Sequence, residues 1–515
     1  MMRIICVGLL LCLLQACAVN PVTGRNELSI VSEAQERSIG AQQYGPAQQS
    51  QGGQYEVDEG LTRYVSQVGQ RIAAVSDRPL DYEFVVLNNG VPNAWALPGG
   101  KIAVNRGLLV ELNNEAELAA VLGHEVVHAA ARHGAQAMTR GTLLQGALLV
   151  GMVAASGSEY ADYVVGGSML GAQLITQRYG RDAERESDHY GIEYMVRAGY
   201  DPRAAVSLQQ TFVRLSEGRD PGWLEGLFAS HPPSQERVRN NQALVNQLLP
   251  TLSGRDLELG ERRYRDATAF LRDTRQAYDL FEEAERAVGS DELELAMDKV
   301  EQAIALVPQE ARFLGLKGDI LVYQRRYREA VPVYDQALAL DDDYFDYYLG
   351  RGVARARLNQ GAAARRDLER SSELLPTAIA QNELGKLSLA AGDRNAAKTY
   401  FSTAAMAQGL VGQEAATSFM QLDLSDNPAR YVQAQALVDR SGRIHARVFN
   451  QSPVTLRDVQ IQVSALIDGQ VRRQLLRVAT LPANRAVDVA SQLGFARGST
   501  WTPDMLAAQV VAAEL

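Results

Sequence analysis

The chain has 515 residues, 46% hydrophobic and 22% charged, an ordinary globular mix that suggests about three domains at roughly 150 residues each. Its net charge of −10 argues against a general nucleic-acid binder, which needs a basic surface to replace phosphate counterions. All three cysteines, Cys6, Cys12 and Cys17, lie in the first 17 residues, so a disulfide framework and a Cys-ligated structural zinc are excluded downstream and any metal site must use His, Asp and Glu.

Arg3 and the apolar run Ile4 to Leu14 read as a secretory signal, the run being too short to span a bilayer. Leu14-Gln15-Ala16-Cys17 looks like a bacterial lipobox. That resemblance implies a signal peptide over residues 1–16, diacylglycerol on Cys17, and a periplasm-facing chain anchored to a membrane. Ala18, rather than Asp, favours the outer membrane by the sorting habit of Gram-negative lipoproteins.

Residues 17–55 read as a tether and lead-in, with Ser32 capping a short helix through Gln43 before a polar Gln/Gly-rich stretch. A compact segment is expected over 56–250. Leu61 to Val75 has helical spacing, Tyr82 to Leu87 reads as a strand, and Ala94–Leu97 and Ile102–Val104 read as strands joined by Pro98-Gly99-Gly100. Asn114, with Glu117 as capping-box partner, starts a helix that ends near His133-Gly134. A second helix is expected over Asp182–Ala198, stopped by Gly199. The apolar stretch 143–175 is interrupted by Gln145, Glu159, Asp162 and Gln173; buried helices or a lid fit it better than a membrane span.

A connecting helix is expected over 251–276, followed by repeats over 277–427. Gly318, Gly352 and Gly385 recur at tetratricopeptide spacing, as do Ala296, Ala330, Ala364 and Ala397 and, four residues later, Val300, Tyr334, Leu368 and Phe401. From 428 to 515 the pattern turns to period two, which suggests a small β-sandwich. The chain is thus mainly α and multidomain.

The chemistry centres on His124-Glu125-Val126-Val127-His128. Residues four apart share a helix face, so both imidazoles can reach one zinc ion, with Glu125 beside them to take a proton from water. The third ligand is open among Glu184, Glu186, Asp188, His189 and His231. Glu184 and Asp188 share a face, so one can bind metal while the other orients an imidazole. Glu186 points away, toward Arg181 or Arg185. His189 lies off the Glu184 face. His133 turns about 140° from His128, toward solvent or a structural hydrogen bond. His445 reads as an ordinary half-exposed strand residue.

With Asn93-Ala94-Trp95-Ala96-Leu97-Pro98-Gly99-Gly100, Val104 to Leu109, Ala131-Arg132-His133 and Ser230-His231-Pro232-Pro233, these residues resemble the zinc metalloprotease family that includes the CAAX prenyl protease, HtpX and BepA. The resemblance covers roughly residues 20–250. It implies an α+β zincin-like protease domain holding one Zn2+ per subunit through His124, His128 and Glu184. Glu125 is then the general base and Asp188 a supporting carboxylate. His231 is placed near the metal, as a restraining ligand or a transition-state stabiliser, and Arg237 in electrostatic support. The repeats bring the chain near lipid-anchored members that act in outer-membrane protein assembly. Expected partners are unfolded envelope or β-barrel proteins as substrates, the membrane, and assembly machinery recruited by the repeats, with no nucleic acid. Two departures are Ser187, where the family often has Ala, and the carboxy-terminal β domain. An extended substrate is expected along an edge strand formed by Lys101, Ile102, Ala103 and Val104. Rival readings are a repeat-based binding factor with a latent protease, and a pseudo-protease acting as a holdase.

Overall fold

A computed structural model describes residues 17–147, 179–218, 231–496 and 499–515. The expected signal peptide and most of the 143–175 stretch lie outside them. The chain divides into two compact units, Met1–Ala380 and Gln381–Leu515.

The first unit begins with an antiparallel hairpin, β1 (Cys17–Val19) and β2 (Asn26–Leu28). Its turn is closed by Asn20, whose Oδ1 accepts from the backbone N–H groups of Val22 at 2.9 Å and Thr23 at 3.2 Å. Helix α1 (Glu33–Ser50) starts with a reciprocal capping box between Ser32 and Gln35. It runs well past Gln43, through Pro46 and into the stretch expected to be a polar tether. Packing explains the extension. A Cβ on Gly40 would lie 1.8 Å from the Pro98 carbonyl oxygen, so α1 sits directly on the Pro98-Gly99-Gly100 turn. Tyr44 also donates its hydroxyl to the Ile102 carbonyl at 3.0 Å.

Helix α2 (Glu59–Ala73) buries Leu61, Val65, Val68 and Ile72 at helical spacing. The sheet has β5 (Lys101–Asn105) between β3 (Glu83–Leu87) and β4 (Ala94–Leu97). Lys101–Val104 is therefore the middle strand and not the edge: β3 pairs with it in parallel and β4 antiparallel. The Gly99-Gly100 turn folds β4 back onto one side of β5, and the longer excursion after β3 leaves the other side for a parallel partner. Both turn glycines have left-handed φ, +84° and +90°.

Helix α3 (Glu115–Ala130) carries the HExxH residues and is buried over its whole length. Asn114 caps it, accepting from Glu117 N–H at 2.9 Å, but the return bond from the Glu117 carboxylate goes to Asn113 N–H at 2.7 Å, one residue earlier than a capping box requires. The helix stops before the expected His133. Arg132 adopts a left-handed φ of +64°, and α4 (His133–Ala147) starts in a new direction. Arg132 is held in this conformation by Glu36 on α1, at 2.8 Å, and by the Val31 carbonyl, at 2.7 Å.

Helices α5 (Arg181–Arg197), α6 (Arg203–Gly218) and α7 (Gln235–Leu248) complete the site's frame. A Cβ on Gly191 would approach His124 N to 3.1 Å, and one on Gly123 would approach Gly191 O to 3.0 Å. Glycine at both positions lets α3 and α5 cross backbone to backbone. The expected connecting helix over 251–276 is instead a 3-10 turn and two short helices, Glu261–Ala267 and Ala269–Asp273, meeting at Thr268.

The repeats follow as helix pairs. They are α8 (Arg275–Gly289) with α9 (Leu293–Leu306), α10 (Ala311–Tyr323) with α11 (Tyr327–Leu340), α12 (Phe345–Arg357) with α13 (Gly361–Leu374), and α14 (Ala378–Ala390) with α15 (Arg394–Ala404), then α16 (Gly409–Leu424). A Cβ on Gly318 would meet the Tyr334 ring at 2.6 Å, on Gly352 the Leu368 side chain at 2.8 Å, and on Gly385 the Phe401 ring at 2.6 Å. The glycine series thus receives the series read from the sequence as its packing partner. The repeats do not begin a separate core. Tyr278, Phe281 and Phe313 join Tyr55, Val86 and Leu108 in one buried cluster. Asn88 donates to Glu310 at 3.0 Å, and Gln49 on α1 accepts from Phe345 N–H at 2.8 Å.

The second unit contains two three-stranded antiparallel sheets. One is ordered β10 (Ala486–Gly494), β7 (Arg443–Asn450), β6 (Val432–Val438); the other β11 (Leu506–Glu514), β8 (Leu456–Ile467), β9 (Gln470–Leu481). Alternate residues such as Ile444, Ala446 and Val448 share a core with Val459, Ile461 and Val463, as a sandwich requires. His445 is half-buried between them in sequence, as expected. Among the described residues no helix is long and apolar enough to cross a membrane.

Candidate metal centre

Helix α3 delivers His124 and His128 one turn apart, and their Nε2 atoms face each other at 3.0 Å. Helix α5, crossing at Gly191, brings Glu184 to them: its Oε2 lies 3.5 Å from His124 Nε2 and its Oε1 3.4 Å from His128 Nε2. The segment before α7 adds His231, with Nδ1 2.9 Å from Glu184 Oε1 and 3.2 Å from His124 Nε2. One ligand atom from each of these four buried residues lies within 4.8 Å of the others. Glu184, the sequence candidate on the Asp188 face, is thus in the cluster, and so is His231.

Asp188 accepts from His124 Nδ1 at 3.1 Å, which turns Nε2 toward the cluster. The Arg237 guanidinium binds Asp188 through Nε at 2.7 Å and Nη2 at 2.6 Å, and its Nη1 lies 3.1 Å from Glu184. Glu125 is 2% exposed; its Oε1 is 3.6 Å from His231 Nε2 and its Oε2 has no hydrogen-bond partner among the described residues.

The expected pairing of Glu186 fails here, and of the two places expected for His133 the structure shows the structural hydrogen bond. Glu186 pairs with neither Arg181 nor Arg185 but with His133 Nε2 at 3.2 Å and Asn20 Nδ2 at 2.8 Å, while Arg185 binds Asp182 and Glu236. His133 is not solvent-facing: the break at Arg132 swings it inward, 2% exposed, with Nδ1 2.9 Å from His128 Nδ1. His189 is exposed and pairs with Glu193 at 3.3 Å, away from the cluster. Lys101–Val104 lies inside the sheet, and the strand that reaches the cleft is β4: Ala94 lines it together with His124, Glu125 and His231. Sequence reasoning missed Tyr179, whose ring stacks on His128 with centroids 4.0 Å apart. No spacing rule reaches it.

The electrostatics suit a cation. Burial pushes the His128 imidazole well below its ordinary range, so it is neutral. Burial alone would raise the Glu184 carboxyl, but His231 and His124 outweigh it and hold the group well below the usual carboxylate range. Burial likewise opposes ionisation of Asp188, and Arg237 reverses it, lowering the pKa. Neutral imidazole and ionised carboxylate are the ligating forms. Imidazole nitrogens converging with a carboxylate, and no thiolate, fit a divalent ion such as zinc.

Residues 59–245 match the family model for peptidase family M48. That stretch holds all four residues of the cluster. A TPR-repeat model matches residues 318–359. The chain is 26% identical over 339 residues to the β-barrel assembly-enhancing protease of Yersinia pestis, covering 61% of this chain and 69% of that protein. It is 25% identical over 294 residues to the protein of the same name from Escherichia coli strain K12, covering 53% and 60%. It is 35% identical over 184 residues to the mitochondrial metalloendopeptidase OMA1 of Schizosaccharomyces pombe, covering 35% and 51%. The chain therefore spans between 51% and 69% of the length of these relatives.

Proposed function

We propose that the protein is a zinc-dependent endopeptidase of the bacterial cell envelope that removes misfolded or stalled envelope and outer-membrane proteins. The observation that carries this reading is the four-residue cluster set beside the buried carboxylate of Glu125, whose Oε2 has no hydrogen-bond partner among the described residues. His124, His128 and Glu184 would hold the ion. Zinc, when bound, would polarise a scissile carbonyl and make a neighbouring water more acidic. Glu125 takes the proton of the attacking water and returns it to the leaving amine. Asp188 keeps the His124 proton on Nδ1, and Arg237 keeps Asp188 ionised. His231 stands where a catalytic site needs an open position, so it acts as a restraint that must move before water and substrate enter.

An extended chain would pair with β4, whose outer side meets no other strand among the described residues. Backbone pairing reads little sequence, which suits unfolded substrates. Relatives named as β-barrel assembly-enhancing proteases support the outer-membrane setting, as does the lipobox-like Leu14–Cys17. In this reading the repeats bring clients or assembly machinery to the protease.

The test is Glu125→Gln. The variant should bind zinc like the wild type, while cleavage of an unfolded substrate falls by about 10²–10⁴-fold. Equal cleavage rates would sink the mechanism. In cells, stalled β-barrel proteins should accumulate with the variant; an unchanged protein profile would count against the quality-control role.

A further inference from the structure

A chain of hydrogen bonds leaves the cluster behind His128 and ends in the first hairpin of the protein. Tautomers fix its direction. Ligation through Nε2 requires His128 to carry its proton on Nδ1. That atom lies 2.9 Å from His133 Nδ1, and two ring nitrogens so close share one proton, so His133 Nδ1 accepts. The His133 proton is then on Nε2 and goes to Glu186 Oε1 at 3.2 Å. The same oxygen accepts from Asn20 Nδ2 at 2.8 Å.

Asn20 cannot turn its amide over without cost. Its Oδ1 is engaged by the hairpin turn, its Nδ2 also reaches Glu27 Oε1 at 3.1 Å, and the residue is 1% exposed. The hairpin is seated on α4 through Gln136 with Glu27 and by Ile30 N–H donating to Thr139 Oγ1 at 3.1 Å. The two zinc-facing imidazoles are thus oriented differently. His124 has a carboxylate directly behind it; His128 reaches one through a second imidazole, and that carboxylate is held in place by the amino-terminal hairpin.

We propose that His133, Glu186 and Asn20 are positioning residues for His128, so that seating of the hairpin that begins at Cys17 sets the metal affinity of the site. This rests on the zinc reading above. It adds that the segment nearest the expected anchor is part of the site's support.

The experiment uses the full chain with Glu186→Ala, Glu186→Gln and Asn20→Ala. Zinc affinity is measured by competition with a chromophoric chelator, the His128 tautomer in metal-free protein by ¹⁵N NMR, and thermal unfolding without metal. Glu186→Ala should raise the zinc Kd about 10–100-fold, the range for loss of an outer hydrogen-bond partner. Asn20→Ala should raise it less, and Glu186→Gln should recover part of the loss because it keeps an acceptor oxygen. The Nδ1–H share of the His128 signal should fall relative to the wild type. An unchanged Kd and unchanged tautomer in Glu186→Ala overturn the proposal, even where the melting temperature drops, because a merely structural role moves only the last. If the wild-type chain itself binds no zinc, the zinc reading fails, while the tautomer shift still decides the orientation chain.

Discussion

At the scale of single residues, the site depends on one buried ion pair as much as on its ligands. Asp188 and Arg237 are both at least nine-tenths buried and neutralise each other, and Asp188 also fixes the His124 ring. Asp188→Asn keeps the size but removes the bidentate partner of Arg237, which then faces only the Glu184 carboxylate. Its expected cost is about 3–5 kcal/mol of stability together with a roughly 10–100-fold loss of zinc affinity; chemical denaturation and metal competition measure the two. The placement of the HExxH residues and of the Glu184–Asp188 face was legible in the sequence because helix periodicity converts spacing into geometry. That of His133 was not. Its angle from His128 was reckoned along one continuous helix, and the left-handed turn at Arg132 breaks that reckoning. The cause of the turn, Glu36, lies almost a hundred residues upstream, beyond the reach of any local rule.

At the scale of elements, hydrophobic patterning located most helices and strands, and errors gathered where tertiary contacts override composition. The Gln-rich end of α1 is helical because it is clamped between the sheet and the third helix pair of the repeats, not because its residues favour helix. Strand order was equally illegible: alternation shows that Lys101–Val104 is a strand but does not say which neighbours flank it. The join between α16 and β6 in the second unit supplies a sharper test. Asp423 accepts from Lys398 at 2.6 Å, Asn427 Nδ2 at 2.8 Å and Tyr431 at 3.0 Å. Burial would raise its pKa, but these donors outweigh it and lower it to about 2 from the usual 3.8. A depressed carboxylate stabilises above its unfolded pKa and loses that contribution as pH falls through the folded value. Asp423→Asn should therefore cost about 2 kcal/mol at pH 7. The gap from wild type should shrink between about pH 4 and pH 2, as followed by denaturant unfolding across pH.

At the scale of the molecule, the first unit joins protease and repeats through one hydrophobic core. A fragment ending at residue 276 would lose Tyr278, Phe281 and Phe313, each contributing about 3–5 kcal/mol when truncated to Ala. That sum rivals the whole margin of about 5–15 kcal/mol by which domains are stable. The expected outcome is that residues 17–276 fail to give a cooperative thermal transition, whereas residues 17–380 unfold in one. Cooperative folding of the shorter fragment would show that the shared core is dispensable.

That shared core also sets a clock. Chains are made from the amino terminus, and the HExxH helix is complete some 150 residues before Tyr278 exists. Until the third helix pair is made, α1 lacks the Phe345 N–H that its Gln49 accepts, and the loop at Asn88 lacks Glu310 until the second. The frame around the candidate site is therefore completed late, when about two thirds of the chain has been made.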